Sequence, residues 1–373
     1  MRARTVLDPE GLRRAQAAGK AVTVGYGGFR YVQFLHDFEN VPRGTALFED
    51  GAAVIYGYPA IGRLLALETG LARQFAAPFW MEEKVDGFNV RICRVHGRTI
   101  ALTRGGYVCP FTTDRLADLM DTAVFEAEPD LVLCAEVAGP ENPYCDSAPP
   151  FIEADVRLFV FDLCRRNSPR FLSGAEKQAL LRRYGLPSVA SFGRFEIGDL
   201  PRIRALLRQL DAEGREGAVF KEDSHRQRRA KYYTASGQLA AIASHVHSLM
   251  DLPPEYFTGR VLGLALAAEE LGLPCPGELR QRLGAAWLDG LQEAIRRQRR
   301  DGRIARRFRC RFRSPDNARE LIHQLKRTAG HHLQIVPGEL YQEGELWRLE
   351  FERIYPSLNG LLSDWLAGRV VLD

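Results

Sequence analysis

No run in this 373-residue chain approaches the roughly 18 apolar residues that a membrane-spanning helix needs. Met1 to Lys20 is charged, with no apolar stretch behind it, so no secretory leader is expected. Cys-x-x-Cys is missing. The seven cysteines (Cys93, Cys109, Cys134, Cys145, Cys164, Cys275 and Cys310) are odd in number and scattered, most of them within apolar runs. That usage argues against a disulfide framework or a zinc site and for reduced core thiols in a cytoplasmic protein. His245, His247, His331 and His332 have no Cys or carboxylate at ligand spacing and read as structural. There is no internal repeat and no low-complexity tract. The net charge is only +4, an average that hides a local excess.

What is present is the composition of a soluble globular protein, 46% hydrophobic and 26% charged, long enough for two or three domains. The organising stretch is Glu83-Lys84-Val85-Asp86-Gly87-Phe88-Asn89-Val90-Arg91. It follows the apolar run Ala76–Met81 and leads into alternating Val90 and Ile92, a strand–loop–strand pattern with the lysine in the loop. A lysine there can attack the α-phosphorus of a nucleotide, provided that burial and nearby cations favour its neutral amine. Gly87 lets the backbone approach a ligand. Asn89 and Arg91 offer donors to sugar and phosphate. Alone, Lys-x-Asp-Gly also describes a solvated β-turn.

The chain divides into four parts. Residues 1–66 read as a small α/β appendage, with a helix from Asp8 to Lys20, strand-like runs at Phe29–Phe38 and Ala52–Tyr58, and a helix crossing its end at Pro59–Phe75. Residues 67–240 alternate strands (79–85, 90–95, 98–103, 130–137, 156–163 and 216–222) with helices (113–121, 174–184 and 200–213). Such close-set strands suggest antiparallel sheets with helices outside. Residues 241–313 read as helical, from Ser236–Met250 through Pro254–Leu271 and Gly277–Arg300, and apolar Leu262, Leu264 and Leu266 call for a partner surface. Residues 314–373 begin with Pro315–Thr328, capped by Ser314, and continue with strands near 333–336 and 345–352 and a helix at 356–367.

Five pieces follow the lysine at regular intervals. Thr103-Arg104-Gly105-Gly106 suits phosphate or ribose contact, or a plain hairpin turn. Glu136 ends an apolar strand before Gly139-Pro140-Glu141-Asn142-Pro143-Tyr144 and could hold a ribose hydroxyl or a metal. Leu158-Phe159-Val160-Phe161-Asp162-Leu163 places two phenylalanines on one face, for a purine or for the core. Glu216-Gly217-Ala218-Val219-Phe220-Lys221 brings a carboxylate suited to Mg²⁺. Arg229-Ala230-Lys231 aims two cations the same way along a strand.

In this order the pieces resemble the motifs of covalent nucleotidyltransferases, and residues 80–235 are most similar to the archaeal-type, homodimeric ATP-dependent RNA ligases. Asn89, where DNA ligases and capping enzymes usually carry arginine, and helices where those enzymes carry an OB-fold favour the RNA ligases. Arg229 departs from the usual Lys-x-Lys. The resemblance implies an α+β fold: an ATP-grasp-like nucleotidyltransferase domain of antiparallel sheets flanked by helices, with the appendage before it and a helical dimerisation region behind. It implies joining of RNA 5′-phosphate and 3′-hydroxyl ends through lysyl-AMP and RNA-adenylate, with ATP and Mg²⁺ (or Mn²⁺). Lys84 would be the nucleophile, and Lys231, with Lys221 or Arg229, would face the triphosphate and lower the pKa of Lys84. Glu216, with Glu136, would hold the metal. Glu136 and Arg104 would grip ribose and phosphate, Phe161 would stack on adenine, and Asn89 would orient the phosphate or the RNA end; Glu83, Asp86 and Arg91 complete the expected nucleotide site.

RNA calls for a basic track. Residues 295–313 hold ten arginines, among them Arg303, Arg306, Arg307, Arg309 and Arg311, with Phe308 and Phe312 interleaved for bases. A DNA ligase, a capping-type enzyme or a non-catalytic RNA-binding protein of this fold are the competing readings.

Overall fold

The computed structural model describes residues 8–48, 53–273, 276–330 and 333–370, so Cys275, His331 and His332 lie outside the described residues. Helix α1 (Pro9–Ala17) starts where Asp8 accepts a hydrogen bond from the Gly11 amide at 2.6 Å. It packs through Leu12 and Ala15 onto an antiparallel sheet of β1 (Ala21–Tyr26), β2 (Phe29–Phe34), β3 (Ala46–Phe48) and β4 (Ala53–Ile55), in that order.

The helix expected over 59–75 is a correction. Residues 59–66 are not helical, and a two-residue strand within them, β5 (Gly62–Arg63), pairs in parallel with a strand far downstream. Helix α2 (Leu67–Gln74) begins only at Leu67, whose amide is capped by the Glu270 carboxylate at 2.8 Å, a tertiary contact with no local signal.

Next come β6 (Phe79–Lys84), β7 (Phe88–Val95), β8 (Arg98–Thr103), α3 (Pro110–Leu119), α4 (Val124–Ala127), β9 (Leu131–Ala138), β10 (Arg157–Arg165), α5 (Gly174–Arg183), β11 (Ser191–Phe195), α6 (Leu200–Ala212), β12 (Gly217–Glu222) and β13 (Arg229–Tyr233). They form two sheets, β10-β9-β7-β8 and β11-β6-β12-β13-β5, antiparallel apart from the β13–β5 pair. Strands β1, β3 and β11 lie where the sequence reading placed none. The β6–β7 connection crosses from one sheet to the other, which sets the lysine loop between them.

Helices α7 (Ala235–His245), α8 (Pro254–Leu271) and α9 (Pro276–Asp301) follow. The helix expected over 236–250 stops at His245 and becomes a short 3-10 turn. The chain then forms β14 (Ala305–Phe312), α10 (Pro315–Thr328), β15 (Gln334–Glu343), β16 (Leu346–Ile354) and α11 (Pro356–Leu366). The helical reading of 241–313 is therefore corrected at its end, because β14 pairs along its whole length with β16 in a three-stranded sheet, β14-β16-β15. Period-2 alternation turns Phe308, Cys310 and Phe312 inward.

The C-terminal sheet is not a loosely hung unit. Phe308, Phe312, Leu321 and Phe351 share one buried cluster with Phe111, Leu116 and Leu133 of the β9-bearing layer, and Phe111 meets Phe312 edge to face at 5.5 Å. A second cluster packs α6, α7 and α8 under β6, β12 and β13. No helix among the described residues is long and apolar enough to cross a membrane. The α+β class with antiparallel sheets and flanking helices is the one expected from the sequence.

Candidate active site

Lys84 ends β6, and its loop closes against β9 so tightly that a Cβ on Gly87 would lie 2.4 Å from the Val137 carbonyl oxygen. Only glycine fits there, which is the physical content of the Asp-Gly pair. Lys84 and Phe161 border a cavity of about 500 Å³ together with Glu83, Asn89, Arg104, Glu136, Lys221 and Lys231, eight of the residues expected from the sequence. Across the sheet, Phe161 belongs to β10, Glu136 to β9, Asn89 to β7, and Arg104 follows β8. Phe161 thus comes from one edge strand of that sheet and Arg104 follows the other.

The electrostatics around Lys84 differ from expectation. Its Nζ is 2.6 Å from Glu216 Oε2, with the two side chains 17% and 13% exposed. Burial pushes the ammonium down, but Glu216, Tyr233, Glu136 and Asp86 outweigh burial, and the amine sits above its ordinary value. Without nucleotide the lysine is thus a charged, paired ammonium. The expected lowering by Lys231, Lys221 or Arg229 is not found, because the pull of the nearby carboxylates, Glu216 first, outweighs burial. The carboxylates carry the cost. Burial, opposed by Lys84 and reinforced by Glu216 and Asp86, pushes Glu136 up to about 8. Burial pushes Glu216 up to about 7 against the pull of Lys84.

Glu216 and Asp86 line a second hollow of about 200 Å³ that Lys84 also borders; Asp86 accepts from Ser147 Oγ at 2.5 Å. Glu83 accepts from Arg215 at 2.9 Å.

Two expected nucleotide ligands are placed elsewhere. Arg91 is 1% exposed, and its guanidinium donates to the carbonyls of Tyr56 (2.5 Å), Gly44 (2.9 Å) and Thr103 (2.7 Å), so it ties the N-terminal segment to the sheet. Arg229 neutralises Asp162 at 3.2 Å and lies over the Phe171 ring at 3.9 Å. Lys221 reaches the cavity but is held by Glu82 at 2.7 Å, Asp162 at 3.2 Å and the Phe161 carbonyl at 2.6 Å. Lys177 adds a second cation on Glu82 and donates to the same carbonyl at 2.9 Å. This buried network fixes the Phe161 backbone, while Tyr58 meets the Phe161 ring edge-on at 5.3 Å. Lys231 borders the cavity and makes no ion pair with any described residue.

No group of three or more His, Cys, Asp or Glu among the described residues forms a ready metal cage. The donor set still fits a hard divalent cation shared with phosphates. Glu136 and Glu216 are desolvated carboxylates, and Asn89 Oδ1 is buried with no hydrogen-bond partner.

The arginine-rich stretch is also corrected. Arg303 (2.7 Å) and Arg307 (3.6 Å) pair with Glu352, Arg309 with Glu350 at 2.9 Å, and Arg311 with Glu141 at 2.7 Å, while Arg306 donates to the Asp146 carbonyl at 2.8 Å. Register places acids of β16 directly opposite Arg307 and Arg309, which reduces their net field. Phe308 and Phe312 are core residues, and Phe308 stacks on Phe351 at 5.1 Å, so neither is free for a base. His247 contacts Asp146 at 3.4 Å and the Tyr355 ring.

Sequence reasoning missed Gln324 and Thr328 of α10, which also border the cavity. Gln324 donates to the Val108 carbonyl at 2.8 Å and accepts from the Tyr144 hydroxyl at 3.1 Å. These contacts span 216 and 180 residues, so nothing local signals them.

Two families match the chain: RNA ligase over residues 77–233, and the Ligase Pab1020 C-terminal region over 245–369. A curated protein of Methanocaldococcus jannaschii is 26% identical over 364 residues, covering 90% of this chain and 89% of that one. Among solved structures, an Aquifex aeolicus chain provisionally named an ATP-dependent DNA ligase is 45% identical, with 98% of this chain and 100% of that one covered and a TM-score of 0.93. An archaeal ATP-dependent RNA ligase is 30% identical, with 99% and 98% covered and a TM-score of 0.89.

Proposed function

The chain belongs to the ATP-dependent RNA ligase family, and on that premise we propose that it joins RNA 5′-phosphate and 3′-hydroxyl ends through lysyl-AMP. The observation that carries this reading is Lys84, held at the border of a cavity that also brings together Glu136, Asn89, Phe161 and Lys231. Nζ attacks the α-phosphorus of ATP; the N–P bond forms, the bond to the β-phosphate oxygen breaks, and pyrophosphate leaves with the electron pair. The proton that Nζ sheds has Glu216 Oε2 2.6 Å away as its first acceptor. AMP then passes to the RNA 5′-phosphate, and a 3′-hydroxyl displaces it to give the phosphodiester.

Phe161 stacks on adenine, Lys231 faces the phosphates, and Glu83, Asn89 and Arg104 orient ribose and phosphate. Asp86, hydrogen-bonded to Ser147, braces the loop. Arg91, Lys221 and Arg229 act behind the site, through backbone carbonyls and Asp162. Glu136 and Glu216 would hold Mg²⁺, with Mn²⁺ as a substitute, which would supply charge neutralisation for the phosphates. The outward row Arg303, Arg307, Arg309 and Arg311 offers RNA a modest phosphate track once its acids are discounted, and Arg306 braces the Asp146 loop behind it.

The division we propose keeps 1–66 and 67–240, ends the helical region near 303 and assigns β14 to the C-terminal unit. Leu262, Leu266 and Leu288 are 64%, 38% and 58% exposed on α8 and α9, which supports a homodimer through these helices in a cytoplasmic protein. The name carried by the Aquifex relative favours one competing reading, DNA ends. The test is a 5′-³²P-labelled strand with a 3′-hydroxyl, as RNA or as DNA, incubated with ATP and Mg²⁺. Phosphatase-resistant circles or multimers from RNA are expected. Sealing of DNA alone would overturn the RNA assignment.

A further inference from the structure

Tyr233 stands among four cations. Gly217 is the register partner of Lys84 on one side and of Tyr233 on the other. With no side chain between them, the Lys84 amine comes within 5.4 Å of the Tyr233 ring centre. Lys231 lies 5.7 Å, Arg63 5.1 Å and Arg260 4.5 Å from the same ring. Arg63 is the register partner of Lys231 on β5, whereas Arg260 comes from α8. Both arginines lie outside the 80–235 stretch that carries the motifs.

Lys84 has Glu216 as its counter-ion. Arg63, Lys231 and Arg260 have no carboxylate at ion-pair distance among the described residues. The two arginines share a neutral acceptor, Gln238 Oε1, at 2.9 and 3.3 Å; Arg63 also donates to the Gly259 carbonyl at 3.1 Å, and its buried Nε has no partner. Burial and the adjacent Arg260 hold Arg63 below its ordinary value. Three uncompensated cations around one ring repel one another, and a polyanion relieves that repulsion.

We propose that Arg63 and Arg260 join Lys231 to form the subsite for the β- and γ-phosphates of ATP, and so for the pyrophosphate that Lys84 displaces. This rests on the reading that Lys84 attacks the α-phosphorus. In that displacement the leaving oxygen lies opposite Nζ and carries the developing charge. Cations that are not already neutralised are needed there, across the α-phosphorus from Nζ, and these three, grouped on the ring that Nζ also approaches, are available to meet that need. The subsite belongs to nucleotide activation only, since the sealing step releases AMP and no pyrophosphate.

The test uses the full-length protein with Arg63→Ala, Arg260→Ala and Arg260→Lys. Three reactions are followed: lysyl-AMP formation from ATP, its reversal by inorganic pyrophosphate, and sealing of pre-adenylylated RNA. Each alanine variant is expected to raise the half-saturating pyrophosphate concentration roughly tenfold or more, the loss of one charge-assisted phosphate contact. Lysyl-AMP formation is expected to fall at least tenfold further than sealing of pre-adenylylated RNA, and Arg260→Lys to recover part of the loss. An unchanged pyrophosphate dependence in both alanine variants would overturn the subsite. So would a parallel fall of all three reactions in every variant, Arg260→Lys included. Failure of the wild type to form lysyl-AMP would overturn the ligase reading and the subsite with it.

Discussion

Replacing Glu136 with glutamine tests the electrostatic description of the site. The folded value of about 8 lies above the ordinary 4.5, so the folded protein prefers Glu136 protonated. The penalty for ionising it is absent below pH 4.5, grows as pH rises to 8 and is constant beyond. At about 1.4 kcal/mol per pH unit, the span from 4.5 to about 8 sets an upper limit of about 5 kcal/mol. Solvent contact of the half-buried side chain lowers the realised figure. Glutamine keeps the shape and never ionises, so with a chelator present wild type and Glu136→Gln should melt together at pH 5. At pH 9 the variant should melt higher by up to about 10–20 °C, given about 2–4 °C per kcal/mol for a domain of this size. Scanning calorimetry of both proteins across pH 5–9 reads the difference. Parallel melting curves at every pH would refute the claim that Glu136 is a desolvated carboxylate facing Glu216 and Asp86.

Further outcomes are expected. Gly87→Ala drives a Cβ into the Val137 carbonyl, so lysyl-AMP formation measured by label transfer should fall at least tenfold while the circular-dichroism spectrum stays native. Lys177→Met strips one of the two cations from buried Glu82 and leaves Lys221 on it, so the cost in denaturant titration should be about 1–3 kcal/mol, and a Lys177→Met/Glu82→Gln double variant should recover part of it. Arg307→Ala and Arg309→Ala should each change stability by less than about 1 kcal/mol and lower the salt dependence of RNA binding by about one charge. Leu262→Glu with Leu266→Glu should shift a dimer to monomer in analytical ultracentrifugation.

The parts that were legible in the sequence obey local rules. Helices α8 and α10 begin at prolines as expected, because Pro254, Ser314 and Pro315 act within one turn. The lysine loop was readable because Gly87 and the period-2 pattern of β7 are local. The rest depended on distant partners. Glu270 decides where α2 begins, and β5 exists only because β13 lies beside it. Arg91 has the same parity as Asn89, yet carbonyls at 44 and 56 take it away from the cavity. Lys221 and Arg229, expected at the triphosphate, are held together with Lys177 by Glu82 and Asp162, partners far away in the sequence. Ten arginines in 295–313 suggested a strong RNA track until strand pairing set glutamates opposite two of them.

The central claim is that Lys84 carries AMP. Wild type and Lys84→Ala are incubated with α-³²P-labelled ATP and Mg²⁺, in parallel with labelled GTP, and run on denaturing gels. Label from ATP on the wild type and none on the variant is the predicted result. Label on both proteins, or none on folded wild type free of prior adenylylation, would contradict the account.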